Sequence, residues 1–198
     1  MVSGDFMNLI CMVRHGETDA NKNYIVQGRI DNPLNSQGID QARRIAAMFR
    51  AQGETFDVIA ASPLSRAEAT AKIIAKDLEF AGAIEPDPGF LERDFGDYDG
   101  QKINADYAVK VIENRIPRME KHEILEERVL SALKSLCDRH PGKRILVVTH
   151  SHVIKSMLVK LLPKEEFHYA SYLGNCSANY FVYENGEFRV LRYNQTTQ

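Results

Sequence analysis

Four things are scarce or missing in this sequence, and each shortage closes off a class of explanation. Cysteine comes first: Cys11, Cys137 and Cys176 are the only three in 198 residues. They are odd in number and scattered, with neither metal-ligand spacing nor a disulfide framework, which suits a reducing cytosol and a cytoplasmic protein. Long apolar runs are missing too. Nothing approaches ~18 consecutive apolar residues, so no helical membrane span and no membrane partner is expected. Charge of either sign is nearly balanced, 25 basic against 27 acidic residues for a net charge of −2. A nucleic acid gripped by bulk charge is therefore not expected. Finally, Met1 to Met12 has no basic region and no long apolar run, so it does not read as a signal peptide. Met7 serves equally well as the natural start, with the first six residues a loose extension.

What is present is 44% hydrophobic and free of repeats, low-complexity segments and linkers, which favours one globular domain over 1–198 with a sizeable core. Three short apolar runs end abruptly and read as buried strands: Leu9 to Val13, Asp57 to Ala61 and Arg144 to Thr149. Helical spacing follows each. Ser36 is the expected N-cap of the first long helix, with Ile39, Ala42, Ile45, Ala46 and Phe49 recurring before Gly53 ends the run. Further helices are expected from about Ser65 to Leu78, Ile124 to Cys137 and Val153 to Leu162, with an irregular one from Ile103 to Arg115. Asp19 to Asn35 is a long polar loop, the kind that often carries function. A short strand is placed at Ala83 to Glu85, and the tail reads as a hairpin around Asn185-Gly186. The alternation predicts an α/β fold of three αβα layers. Its central sheet is mostly parallel with helices on both faces, and an antiparallel hairpin lies at the C-terminal edge.

The three buried strands end in polar residues of one chemical kind. The first ends in Arg14-His15-Gly16, the second in Ser62-Pro63-Leu64-Ser65-Arg66, the third in His150-Ser151-His152. Parallel strands bring these ends to one sheet edge, so two arginines, two histidines and helix N-terminal amides converge as a phosphate pocket would require. Gly16 lets the backbone turn sharply or approach a ligand. His150 and His152 could also be half of a metal site if the strand continued through them, but no Asp or Cys cluster completes it. Tyr24, Phe95 and Tyr98 either line the pocket mouth or pack on the core, while His122, His140 and His168 read as surface residues.

Together these stretches resemble the histidine phosphatase superfamily, the phosphoglycerate mutase-like family. The resemblance rests on Arg14-His15-Gly16-Glu17-Thr18, Ser62-Pro63-Leu64-Ser65-Arg66-Ala67, Leu91-Glu92 with Phe95-Gly96, and Val147-Val148-Thr149-His150. Asn21, Gly28, Gly38, the helix around Glu126 to Arg128 and Asn175-Cys176-Ser177 fit as well. It implies a phosphomonoester hydrolase acting on a small phosphorylated metabolite and releasing inorganic phosphate. His15 would be the nucleophile, with its other ring nitrogen donating to a backbone carbonyl. Arg14, Arg66 and His150 would hold the phosphoryl oxygens, and Glu92 would protonate the leaving group. Asn21, Gln27, Gly28, Ser151 and His152 would complete the phosphate and substrate contacts. With positive charge supplied by protein groups, neither metal nor other cofactor is expected.

The family usually has Gly after the second His, where Ser151 stands here, a change that narrows the pocket or adds a donor. A cap insertion is placed at about 93–118. Mutases of the family carry a longer one with paired arginines, and Ile112 to Arg118 offers no adjacent pair, so hydrolysis is favoured over phosphoglycerate mutase-type transfer. A non-catalytic phospholigand binder would lack one of the five core residues, and all are present. The terminal hairpin could pair across a homodimer.

Overall fold

A computed structural model describes residues 6–197. Most of the proposed N-terminal extension, residues 1–5, therefore lies outside the described residues. Six strands form one sheet: β1 (Asn8–Arg14), β2 (Val58–Ala61), β3 (Ile84–Pro86), β4 (Arg144–Thr149), β5 (Ala178–Glu184) and β6 (Glu187–Gln195). Their spatial order is β3-β2-β4-β1-β5-β6. The first four are mutually parallel, β5 runs antiparallel to β1, and β6 runs antiparallel to β5. The expected hairpin is present at that edge of the sheet, with β6 outermost and β5 paired with β1. At its turn Asn185 and Gly186 have φ of +53° and +83°, the mirror-image turn that suits strand twist.

Among the described residues there are six α-helices, α1 (Asp19–Lys22), α2 (Ser36–Ala51), α3 (Ser65–Asp77), α4 (Tyr107–Ile112), α5 (His122–Arg139) and α6 (Ser151–Leu161), and two single 3-10 turns, Pro88–Phe90 and Gly96–Tyr98. The central strands read as unbroken apolar runs because both their faces are covered. Cys11 and Val13 of β1 join α2 and α3 in one core, where Ala42, Ala46, Ala67 and Ala71 let the two helices come close. Ile10 and Met12 face the opposite way, into a larger core with Leu125, Val129 and Leu133 of α5 and Ile154 and Met157 of α6. Among the described residues, no helix is long and apolar enough to cross a membrane.

The structure moves several sequence-derived boundaries. The N-cap of α2 is Asn35, whose Oδ1 accepts from the Gly38 amide at 2.9 Å; Ser36 is already helical. The irregular helix shrinks to α4, and α6 starts at Ser151 with His150 as its N-cap. Gly16 serves a close backbone contact. A Cβ there would strike the Gly38 carbonyl, and one at Gly38 would strike Glu17, so two glycines let the loop after β1 lie directly on the start of α2.

Candidate active site

Each central parallel strand delivers one part of a buried polar cluster at its C-terminal end. Leaving β1, His15 is 3% exposed. Its Nδ1 lies 2.7 Å from the Gly16 carbonyl oxygen. A carbonyl can only accept, so Nδ1 carries the proton and Nε2 keeps its lone pair. That geometry is the one expected for the ring. Arg66, in the first turn of α3, is fully buried. Its Nε donates to His15 Nε2 at 3.3 Å, and its two terminal nitrogens donate to the carbonyls of Ile30 and Gly28 at 2.8 Å each. One side chain thus ties the 19–35 loop to the histidine.

His150 follows β4, wholly buried, with its ring centroid 5.1 Å from that of His15. Its Nε2 is 2.7 Å from Ser62 Oγ at the end of β2, and its Nδ1 is buried without a partner. Burial, and then the Arg66 charge, push both histidines well below the ordinary imidazole pKa, so both rings are neutral. Arg14 donates to the Leu173 carbonyl, leaving its Nε buried and unpaired.

Glu92 is 4% exposed. Its carboxyl accepts from the Arg93 amide at 2.8 Å and the His152 amide at 3.2 Å, the latter in the first turn of α6. Burial raises its pKa; the two amides and the Arg66 and Arg14 charges pull the other way. Arg128 of α5 anchors this segment, donating to the Gly89 and Leu91 carbonyls at 2.8 and 2.9 Å and forking onto the Glu120 carboxylate. The sequence drew attention to this stretch of helix without giving Arg128 that task.

The cluster opens on a cavity of about 160 Å³. Arg14, His15, Asn21, Gln27, Glu92, Ser151, His152 and Lys155 supply its polar wall. Ile25, Val26, Phe95, Ile103 and Tyr107 supply the apolar one. Asn175 braces the near side, donating to the His15 carbonyl at 3.1 Å and to Asn21 Oδ1 at 3.3 Å. Arg66 and His150, expected in the wall itself, stand behind His15 instead. Gly28, expected to contact phosphate, has both backbone groups engaged: its amide donates to Asp99 at 2.6 Å and its carbonyl accepts from Arg66.

His150 and His152 do not share one side. The strand stops at Thr149, so helical geometry turns His152 away onto Phe95 and Tyr169, with ring centroids 4.8 and 5.6 Å apart. Among the described residues no three His, Cys, Asp or Glu side chains converge to hold a metal ion. Of the three histidines read as surface residues, only His168 is exposed. His122 packs edge-on against Tyr169 with 4.1 Å between ring centroids, and His140 pairs with Glu85 at 2.9 Å. Phe95 does line the cavity, whereas Tyr24 is 67% exposed. Lys155 was missed. Its signal was a lysine one helical turn after Ser151, in a stretch that is otherwise mostly apolar.

A family model described as the histidine phosphatase superfamily (branch 1) matches residues 10–196. The chain belongs to this superfamily. It is 32% identical over 188 residues to a Bacillus subtilis protein named uncharacterized phosphatase PhoE, covering 95% of each chain. It is 36% identical over 167 residues to phosphoglycerate mutase-like protein 4 of Arabidopsis thaliana, covering 78% of this chain and 71% of that one. Among solved structures, a mutant phosphoserine phosphatase from Entamoeba histolytica in complex with phosphoserine superposes with a TM-score of 0.79 at 26% identity. That match covers 94% of this chain and 96% of the other. YhfR of Bacillus stearothermophilus superposes with a TM-score of 0.84 at 26% identity, over 96% and 98% of the two chains. Both sequence relatives and structural neighbours thus include phosphatases.

Proposed function

We propose that the protein hydrolyses a small phosphomonoester through a phosphohistidine formed on His15. The observation that carries this reading is the hydrogen bond from Nδ1 to the Gly16 carbonyl at 2.7 Å, which leaves Nε2 as a buried, neutral nucleophile beside fixed positive charge. Nε2 attacks phosphorus while the ester P–O bond breaks. The departing oxygen takes the proton of Glu92, whose raised pKa favours the acid form. Water then attacks the phosphohistidine, Glu92 takes one of its protons, and inorganic phosphate leaves. Arg14, in the cavity wall, holds charge on the equatorial oxygens, and Arg66 adds a fixed positive charge from beside His15. Asn21, Gln27 and Ser151 lie within reach of the remaining oxygens in the same cavity.

Hydrolysis is preferred to mutase-type transfer because the cap offers no second arginine clamp. Arg115 pairs with Glu113 and Arg118 with Asp97, and neither lines the cavity. The cavity is also small beside the about 300–1,000 Å³ of drug-sized ligand sites, which fits a compact metabolite. Similarity to a phosphoserine phosphatase supports the same size class. The test is turnover of a panel of phosphomonoesters, with a phosphoglycerate mutase assay alongside and a chelated control. Phosphate release that survives chelation supports the reading. Transfer between positions of a phosphoglycerate without net phosphate release would replace it with the mutase reading.

A further inference from the structure

Lys155 is the charged group in the cavity that the hydrolytic chemistry above does not use. It lies on α6, 8% exposed, one turn beyond Ser151. Its Nζ donates to the Tyr169 carbonyl at 2.8 Å. An ammonium has three N–H donors, so one backbone carbonyl leaves most of its capacity unmet. No carboxylate pairs with it among the described residues. The acid in the cavity wall is Glu92, which is already engaged by two backbone amides. A buried charge held in this way is destabilising unless a ligand completes it.

A second observation points to the same spot. His152, on the same side of α6 three residues earlier, also lines the cavity, and its Nδ1 is buried with no hydrogen-bond partner. Lys155 with its unmet donors and His152 with its unpaired nitrogen therefore line the same cavity from one side of α6. A bound phosphoryl group answers Arg14, the other cation in the cavity wall, leaving Lys155 as surplus positive charge.

We propose that Lys155 and His152 form a second anion subsite, so that the substrate is a small phosphomonoester bearing a further acidic group, a carboxylate or a second phosphate. The proposal rests on the hydrolase reading and deepens it. This cavity is small, so the two acidic groups are separated by only a few bonds. Burial and the Arg14 charge bring the Lys155 pKa down to about 8, which leaves the ammonium mostly protonated at neutral pH.

The test pairs substrates that differ only in the second charge: phosphoglycolate against ethyl phosphate, and propanediol bisphosphate against propyl phosphate. The wild-type protein should favour the acidic member by about 10–100-fold in kcat/KM, the worth of one charged hydrogen bond. In Lys155→Met both members fall and their ratio collapses toward one, while Lys155→Arg retains the preference. A preference confined to one pair identifies the acidic group as carboxylate or phosphate. Inhibition of the wild-type protein by phosphonoacetate against ethylphosphonate reads the subsite without turnover and without a variant. Equal kcat/KM within both pairs, or a preference that persists in folded Lys155→Met, would overturn the subsite and leave the hydrolase standing. No turnover of any ester, with phosphonoacetate still favoured, would overturn the hydrolase reading and leave the subsite.

Discussion

Arg66 and Arg118 are the same residue in two settings. Arg66 is wholly buried and its guanidinium reaches two loop carbonyls and the His15 ring. Arg118 has a side chain 82% exposed and meets Asp97 at the surface of the cap. The first is fixed by partners from two separate segments, so losing it would strip the Gly28 and Ile30 carbonyls of their donor. The second competes with water for its partner. The same contrast separates the whole end of the sheet from the cap at 93–118. At the sheet end, neighbouring strands dictate where each side chain lies. The stretch at 93–118 is held from beneath by Phe95, Val111, Ile116 and the buried Arg93, which donates to Asn114 and Glu120, while Val109 and Ile112 face outward. In the proposed function the reaction chemistry draws on the sheet end, and the proposed substrate choice on the side that faces residues 93–118.

Substitutions can break or sharpen that contrast. His15→Asn should have the largest effect, lowering kcat by about 10⁵-fold or more, since no other nucleophile stands in its place. Glu92→Gln should come next. It keeps size and polarity but cannot donate an acidic proton, so alkyl esters should slow by about 10²–10⁴-fold. Nitrophenyl phosphate, whose leaving group needs little help, should slow far less. Equal losses on the two esters would reduce Glu92 to a positioning role.

Arg66→Met should lower kcat by about 10²–10³-fold. It should also lower the melting temperature, because the Gly28 and Ile30 carbonyls lose their donors. Acid should have a more modest effect on folding. His15, His150 and His152 all have folded pKa values below the ordinary 6.5 because of burial. Below that pH the unfolded chain takes up protons that the folded protein refuses, so this part of the stability is complete above 6.5 and is lost as pH falls. Glu92 opposes it, since a raised carboxyl stabilises at low pH and loses that contribution as pH rises through its folded value. Three groups against one predict a lower melting temperature at pH 5.5 than at pH 7.5. Arg118→Ala should matter least, leaving kcat/KM within about twofold. A large loss there would mean that the cap surface helps to form the site.

How much of this was readable beforehand follows the same division. The strand-end residues Arg14, His15, Arg66 and His150 were legible because unbroken apolar runs identify buried parallel strands, and parallel strands share an active edge. The orientation of the His15 ring was legible because neutral imidazole needs an acceptor for one nitrogen. What the sequence could not give was depth. Whether Arg66 lines the cavity or stands behind His15 depends on the carbonyls of Gly28 and Ile30, which only the folded loop brings near. His152 was paired with His150 on strand spacing, and the start of α6 two residues earlier than expected undid that pairing. Lys155 was hidden because a lysine in an amphipathic helix usually faces water.

The central claim is that His15 Nε2 is the atom that receives the phosphoryl group. Rapid quench with a labelled phosphomonoester tests it most directly. The account predicts a burst of protein-bound label that is labile in acid, stable in base and recovered on the peptide containing His15. Label recovered on a serine or cysteine, or a burst that persists in His15→Asn, would contradict it.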